Sequence, residues 1–271
     1  LDERQGDFSS SSLPPFDPFT GQFFSGGVIP EFRQHPAGAA IANLFPVPNR
    51  SIVGQNFVSA PTLRDRVDSF DVRIDHSLSN RGNLAGRYSF SDRDFFEPFA
   101  GKLYSSVPGY GNFVPRRAQN LMLNETHIFS SRWVNDLRLA FNRVSSGTFQ
   151  ENSGTNVNGQ LGVPSFSSNS RDFGLSLITV AGFSPLGDEP NNPQYSVTNT
   201  FQVLNQSSFS LGKHLVRFGV DLRRSQQNAF RDIHSRGFIN FLSPSYFTGI
   251  PLADLLLGLP TYSGAAQSDN P

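Results

Sequence analysis

Asp71 and Asp75 stand four residues apart in a stretch where apolar and polar residues alternate, so both carboxylates leave the chain on the same side. Two carboxylates on one face are the least that general acid–base chemistry requires. Arg73 lies between them on that same face, and an Asp-Arg-Asp series reads more simply as a ladder of opposite charges facing water. The histidines are the other chemistry-bearing set: His35, His76, His127, His214 and His234. No two of them stand at the spacing of a metal-ligand pair. His76, His127 and His214 each fall beside a short turn, which favours a solvated rim. Cysteine is absent, so disulfides and thiolate metal sites are excluded. The sequence carries no nucleophile elbow, phosphate loop or EF-hand spacing. Pro108-Gly109-Tyr110-Gly111 is a lone glycine pair in a loop. These residues point to a protein that is not an enzyme and that uses neither metal nor cofactor.

Composition sets the frame for whatever positions these side chains. The 271 residues hold 22 Lys+Arg against 22 Asp+Glu, and only 16% are charged. A nucleic-acid partner would need a basic surface that this balance does not supply. Phe contributes 27 residues, Gly 24 and Pro 19, a mixture too poor in helix formers for a bundle and too aromatic for disorder. No apolar run approaches the ~18 residues of a membrane-spanning helix. The longest, 252–259, is short and contains Asp254. If the chain crosses a membrane it must do so as a closed barrel, the other structure that satisfies every backbone polar group in lipid. It begins at Leu1 with no signal sequence, and an internal piece of a longer protein is expected.

The alternation marks an all-β chain, an antiparallel meander of about six strands. In 67–76, Phe70, Val72 and Ile74 alternate with Asp71, Arg73 and Asp75. The polar run 77–83 is a turn, and 84–93 continues with Leu84, Gly86, Tyr88 and Phe90 opposite Ala85, Arg87, Ser89 and Ser91. The same construction recurs in 120–129 and 133–144, joined at 130–132, where Leu137, Leu139 and Phe141 oppose Asp136, Arg138, Ala140 and Asn142. It recurs again in 195–209 and 214–225, joined at 210–213, where Val216, Phe218, Val220 and Leu222 oppose Arg217, Gly219, Asp221 and Arg223. Strands 120–129 and 195–209 alternate less cleanly, which leaves their register open.

The hairpins are linked by the long stretches 94–115 and 145–194, so every short connection lies at one end of the sheet and every long one at the other. That asymmetry is the mark of an outer-membrane barrel, with long loops on one side. On this reading Phe70, Val72, Ile74, Tyr88 and Phe90 meet lipid. Asp71, Arg73, Asp75, Arg87, Asp136, Arg138, Arg217, Asp221 and Arg223 then line a wet lumen. Phe129, Trp133 and Phe209 fit an interfacial girdle, or equally the capped core of a soluble sheet. Residues 1–60 are expected as an extended lead-in whose one short helix is opened by Pro36 and ended by Pro46 and Pro48. Residues 61–271 are expected as part of the barrel, with a second short helix at 251–257 stopped by Gly258.

At these same residues the chain resembles a known family. The run Phe70-Asp71-Val72-Arg73-Ile74-Asp75-His76, followed by Leu84-Ala85-Gly86-Arg87-Tyr88-Ser89-Phe90-Ser91, is similar to the early barrel of Oar-like TonB-dependent outer-membrane transporters. So are Thr126-His127-Ile128-Phe129-Ser130, Val134-Asn135-Asp136-Leu137-Arg138 and Gly212-Lys213-His214-Leu215-Val216-Arg217-Phe218-Gly219. Leu44-Phe45-Pro46-Val47-Pro48-Asn49 resembles the family's preceding segment, and Leu252-Ala253-Asp254-Leu255-Leu256-Leu257-Gly258-Leu259-Pro260 its later loop. The resemblance implies a Gram-negative outer-membrane receptor with a plug, a barrel of about 22 strands and an inner-membrane TonB complex as its energy source. It implies an extracellular substrate met first by the long loops and the outer-membrane lipid as a standing partner; the Tyr, Phe and Asn of those loops suit contact with a glycan or a peptide, or equally packing over the barrel mouth. This chain holds about six such strands, without a recognisable plug or TonB box, as expected of a fragment.

Two soluble folds compete: a β-sandwich carbohydrate-binding module, and a secreted all-β hydrolase without its catalytic groups. Both place a second layer of protein over Phe70, Val72, Ile74, Val216, Phe218 and Val220, whereas a barrel leaves those six facing lipid.

Overall fold

The computed structural model describes residues 2–52, 54–101, 104–242 and 247–266; the terminal stretch 267–271 lies outside them. Residues 2–63 hold a small hairpin, β1 (Phe16–Asp17) and β2 (Gln22–Phe23), and helix α1 (Pro36–Ala42). Next come β3 (Arg64–Ser79), β4 (Gly82–Glu97), the two-residue β5 (Asn112–Phe113), β6 (Arg116–Ser130) and β7 (Trp133–Gln150). The following connection carries the helical turn α2 (Val157–Gln160) and strand β8 (Leu177–Val180), and leads to β9 (Gln194–Leu211) and β10 (His214–Arg231). Strand β11 (Phe238–Phe241), helix α3 (Pro251–Leu257) and β12 (Tyr262–Gly264) complete the described chain.

Six long strands pair antiparallel in sequence order, β3-β4-β6-β7-β9-β10, with β5 extending the ladder between β4 and β7. The alternation of the sequence is thus a single meander. Each hairpin turn is only two residues, Asn80-Arg81, Ser131-Arg132 and Gly212-Lys213, shorter than the turns expected. Serine explains two of them. The hydroxyl of Ser79 accepts from the Arg81 amide at 3.1 Å and that of Ser130 from the Arg132 amide at 3.2 Å, closing the chain without extra residues. The third uses Gly212 at φ +61°, a left-handed conformation that costs glycine little.

The strands are also longer than the ten or so residues expected. They run 15 to 18 residues, and the excess lies at the end away from the turns. The long connections shrink accordingly, to 98–115 and 151–193. The added residues (Arg64 to Arg66, Asp94 to Glu97, Ser145 to Gln150, Gln226 to Arg231) are mostly polar, with Phe95, Phe96, Phe149 and Phe230 too irregularly placed to mark a face. They therefore pair as a ladder while showing no apolar alternation. About nine to eleven residues of a tilted strand cross a bilayer, so the remainder projects beyond it.

Because β3 starts and β10 ends at the loop end, the described residues of 2–49, 98–115, 151–193 and 232–266 converge there and pack into a cap. Among the described residues every buried apolar side chain belongs to this cap: Phe8, Ile29, Ile41, Leu175, Ile178, Leu186, Leu255 and Leu256 lead them, and the long strands contribute none. The mixed sheet β8-β11-β12 forms its floor. α1 crosses α3 so closely that a β-carbon on Gly38 would come within 2.1 Å of the Leu255 carbonyl oxygen. The amide of His35 donates to the Leu256 carbonyl at 2.7 Å, and Gly258 ends α3 at φ +70°. Both short helices fall where the sequence places them. Much of the segment ahead of β3, expected as an extended lead-in, packs instead: Phe8, Ile29, Ile41 and Phe45 are buried in one cluster with Leu175, Ile178 and Leu255, while 54–63 stay largely exposed.

No second layer covers the sheet among the described residues. Phe70, Val72, Ile74, Val216, Phe218 and Val220 are 51, 48, 68, 46, 61 and 51% exposed. Both soluble alternatives require those six to be buried, and neither fold is present.

Candidate functional site

Residues directly opposite in an antiparallel ladder share a face, so the pairing assigns every side chain of the sheet. One rung runs Asp71, Ser89, Asn120, Asn142, Thr200, Ser225, and the next Arg73, Arg87, Met122, Ala140, Gln202, Arg223. A third runs Asp75, Ala85, Asn124, Arg138, Leu204, Asp221. Asp136 lies in the rung of Thr126 and Gln206, and Arg217 in that of Ser208 and Val134. All nine charged residues singled out in the sequence therefore stand on one face. The two strands whose register the sequence left open are assigned with them: Leu121, Leu123, Phe201 and Val203 point to the opposite, apolar face.

The polar face is a network of local pairs. Arg87 donates to Asp71 at 2.8 Å, and the Ser89 hydroxyl also bonds that carboxylate. Arg73 holds Asp75 through two bonds of 2.8 and 2.7 Å, and Arg93 holds Asp65 through two of 2.7 Å. Arg73 and Arg87 are direct cross-strand partners, a like-charge contact that these outward pairings relieve. The Thr126 hydroxyl donates to Asp136 at 2.5 Å, Gln202 to Asp221 at 2.8 Å, and Arg138 to Asn124 at 3.4 Å. Arg223 stands 3.9 Å from Asp221. Asp71 and Asp75, four residues along one strand, are about 13 Å apart. Each has its own arginine, so they cannot share a proton as a catalytic dyad.

This face is concave. One cavity of about 770 Å³ is lined by Val67, Arg93, Arg116, Ser146, Ser196 and Ala229, which form a complete rung from the first long strand to the last. In an antiparallel barrel wall with one apolar and one polar face, the polar face turns inward. The cavity sits at the loop end of the wall and is lined by the long strands alone. Arg93, Arg116 and Arg231, which also line it, were not among the residues singled out in the sequence. The signal was faint: Asp65, Val67, Arg93 and Arg116 do continue the two-residue period, but with polar residues on both faces.

The convex face carries an apolar band that crosses the rungs on a diagonal. On β3 it is Phe70, Val72 and Ile74; on β10 it is Val216, Phe218, Val220 and Leu222. Yet the rung of Val72 reaches β10 at Arg224, five residues nearer the loops than the centre of the β10 set. A drift of about 17 Å along the strand over about 24 Å of sheet makes the band horizontal when the strands tilt by about 35°. Outer-membrane barrels tilt their strands by about 35–45°. Tilt also accounts for Arg143 and Arg224 on a lipid-facing side, since both stand above the band on the loop side. Near the turns, Phe129 stacks on Trp133 at 4.2 Å and Phe209 pairs directly with Trp133, on the exposed face and not over a core.

The cap is tied to the wall by buried polar groups. Gln150, the last residue of β7, donates to the Phe173 and Arg171 carbonyls at 2.7 and 3.2 Å. Asn112 of β5 donates to Glu189 at 2.9 Å and accepts from Asn192 at 2.8 Å. Arg236, fully buried, donates to the Asn192 carbonyl at 2.6 Å and to that of Glu189. Asp188 accepts from the Leu175 amide at 2.8 Å and from Asn152 at 3.1 Å. Burial raises the Asp188 carboxyl and lowers the Arg236 guanidinium from their ordinary values, each opposed by the charge of the other. Among the described residues no group of three His, Asp or Glu is arranged to hold a metal ion.

The family model described as "Outer membrane beta barrel domain" matches residues 1–271. No curated protein and no solved structure matches the chain.

Proposed function

We propose, from the premise that this chain belongs to the outer membrane β-barrel domain family and lies in the outer membrane of a Gram-negative bacterium, that it is part of a TonB-dependent, Oar-like receptor. The receptor captures an extracellular glycan or peptide at its long loops and admits it along the polar face of the wall. One observation carries this reading: the polar face of the wall holds a cavity of about 770 Å³ at the end of the strands from which the long loops leave. A purely structural barrel needs a polar interior but no ligand-sized space under its loops. The free edges of β3 and β10 pair with the remaining strands of the barrel, outer-membrane lipid covers the convex band, and the TonB complex acts through the parent protein. The chain catalyses no reaction and holds no cofactor.

The test follows uptake by intact cells that produce the whole protein. Uptake that stops when the inner-membrane proton gradient is collapsed, while surface binding persists, supports the receptor. Uptake that continues unchanged makes the protein a passive channel and removes the TonB-dependent reading.

A further inference from the structure

We infer that the cavity at the loop end of the wall is an anion site, built for a solute that carries two or more carboxylate or phosphate groups. This rests on the receptor reading and names its substrate class. Three arginines of the polar face line the cavity (Arg93, Arg116 and Arg231), and no aspartate or glutamate lines it. One of the three is already neutralised, Arg93 by Asp65 with two bonds of 2.7 Å. Arg116 and Arg231 make no ion pair or hydrogen bond among the described residues. The chain as a whole balances 22 cations with 22 anions, so two unpartnered guanidinium groups in an acid-free hollow are a local excess.

Geometry makes that excess usable. Arg116 is on β6 and Arg231 on β10, three strands apart and two residues out of step, or about 16 Å between backbones on a flat sheet. Curvature brings them closer, and each side chain reaches several ångströms inward, so their heads can flank one ligand within the cavity. Ser146, Thr148, Gln194 and Ser196 lie between them and offer neutral donors for the ligand's remaining oxygens. Guanidinium matches carboxylate and phosphate with paired hydrogen bonds, and a cleft lined by one sign of charge concentrates the opposite ion.

The experiment measures binding of citrate, pyrophosphate and an uncharged oligosaccharide of similar size to the purified whole protein, by calorimetry. Citrate or pyrophosphate should bind, more weakly as salt is raised, and the oligosaccharide should not displace them. Arg116→Gln and Arg231→Gln should each weaken binding about tenfold, and both together roughly a hundredfold. Arg132→Gln, in a turn at the far end of the wall, should leave it unchanged, and Lys at both cavity positions should restore part of it. Heat-modifiable migration reports whether each variant has folded. Absence of anion binding by the unmodified protein, or equal binding by the folded double variant, overturns the proposal. Uptake that still needs the proton gradient in that case leaves the receptor standing without its anion site. Binding that follows the arginines while uptake ignores the gradient does the reverse.

Discussion

The wall and the cap of this protein use apolar side chains in opposite ways. The cap buries its own, with Leu255, Leu256, Ile178 and Leu186 almost fully covered by segments from four separate stretches of chain. The wall buries none, and turns Phe70, Ile74, Phe218 and Leu222 outward while arginines and aspartates occupy the inner face. The cap is therefore a small globular core that water stabilises, and the wall is a surface that water opposes and hydrocarbon stabilises. The same distinction explains why the wall's free edges and exposed band are hazardous outside a membrane.

The largest expected effect tests the cap. Leu255→Ala removes a fully buried side chain at the α1–α3 crossing and should destabilise the cap by about 2–5 kcal/mol, read as faster amide exchange in α3. The apolar band is indifferent to it, so heat-modifiable migration of the barrel should persist. Loss of both at once would show that cap and wall fold as one unit and erase the contrast. A chain of this sequence placed in water without detergent should in turn associate through its wall. A soluble monomer with a sharp reversible transition would contradict the lipid-facing assignment of the six exposed residues.

The next effect lies within the wall and tests its tilt. Val220→Arg places a charge near the centre of the β10 band and should cost about 2–4 kcal/mol in lipid vesicles, whereas Arg224→Leu, four residues along the same face, should be nearly neutral. A band running along the rungs would give the opposite result, because Arg224 shares a rung with Val72. Urea titration of the two variants in the same vesicles decides it.

What the sequence made legible follows this division. Period-two alternation within β3, β4, β7 and β10 needs no neighbours to be read, so all nine charged candidates fall on one face as the spacing requires. Arg116 and Arg231 escaped because they lie in mostly polar stretches, where a ladder of backbone bonds continues without a regular apolar alternation. Registers of β6 and β9 needed a partner strand, since Glu125 and Asn205 interrupt their apolar faces. The cap was nearly opaque. Nothing local in Pro36 to Ala42 says that its face will meet Pro251 to Leu257, more than two hundred residues later. Gly38, which allows the crossing, looks like a weak point in a helix until its neighbour is known.

A smaller effect concerns acid in the cap. Asp254 is buried in α3, where burial raises its carboxyl, opposed by bonds from the Thr248 amide at 2.9 Å and hydroxyl at 2.6 Å. A carboxyl whose folded value is raised favours the fold most below its unfolded value near 3.8, and that advantage is lost as pH rises through the folded value. Asp188 acts with the same sign, and Asp7, lowered by its bonds to Ser9, acts against both. The difference between the protein and Asp254→Asn isolates one group. Acidification from pH 7 toward 4 should slow α3 amide exchange in the protein more than in the variant, after correction for intrinsic rates. Equal slowing would mean that Asp254 titrates at its ordinary value.

The smallest effect sharpens the contrast from the wall's side. Arg87 and Asp71 make a close pair, yet both are about half exposed, and water screens such a pair. In the cap, Arg236 and Asp188 are buried and shielded, and removal of one strands the other without solvent. A double-mutant cycle with Asp71→Asn and Arg87→Gln should therefore give a coupling at the limit of detection, and one with Asp188→Asn and Arg236→Gln a clear one, each measured on the whole protein in vesicles. If the wall pair couples as strongly as the cap pair, the inner face is drier than an open polar surface, and another part of the protein must close over it.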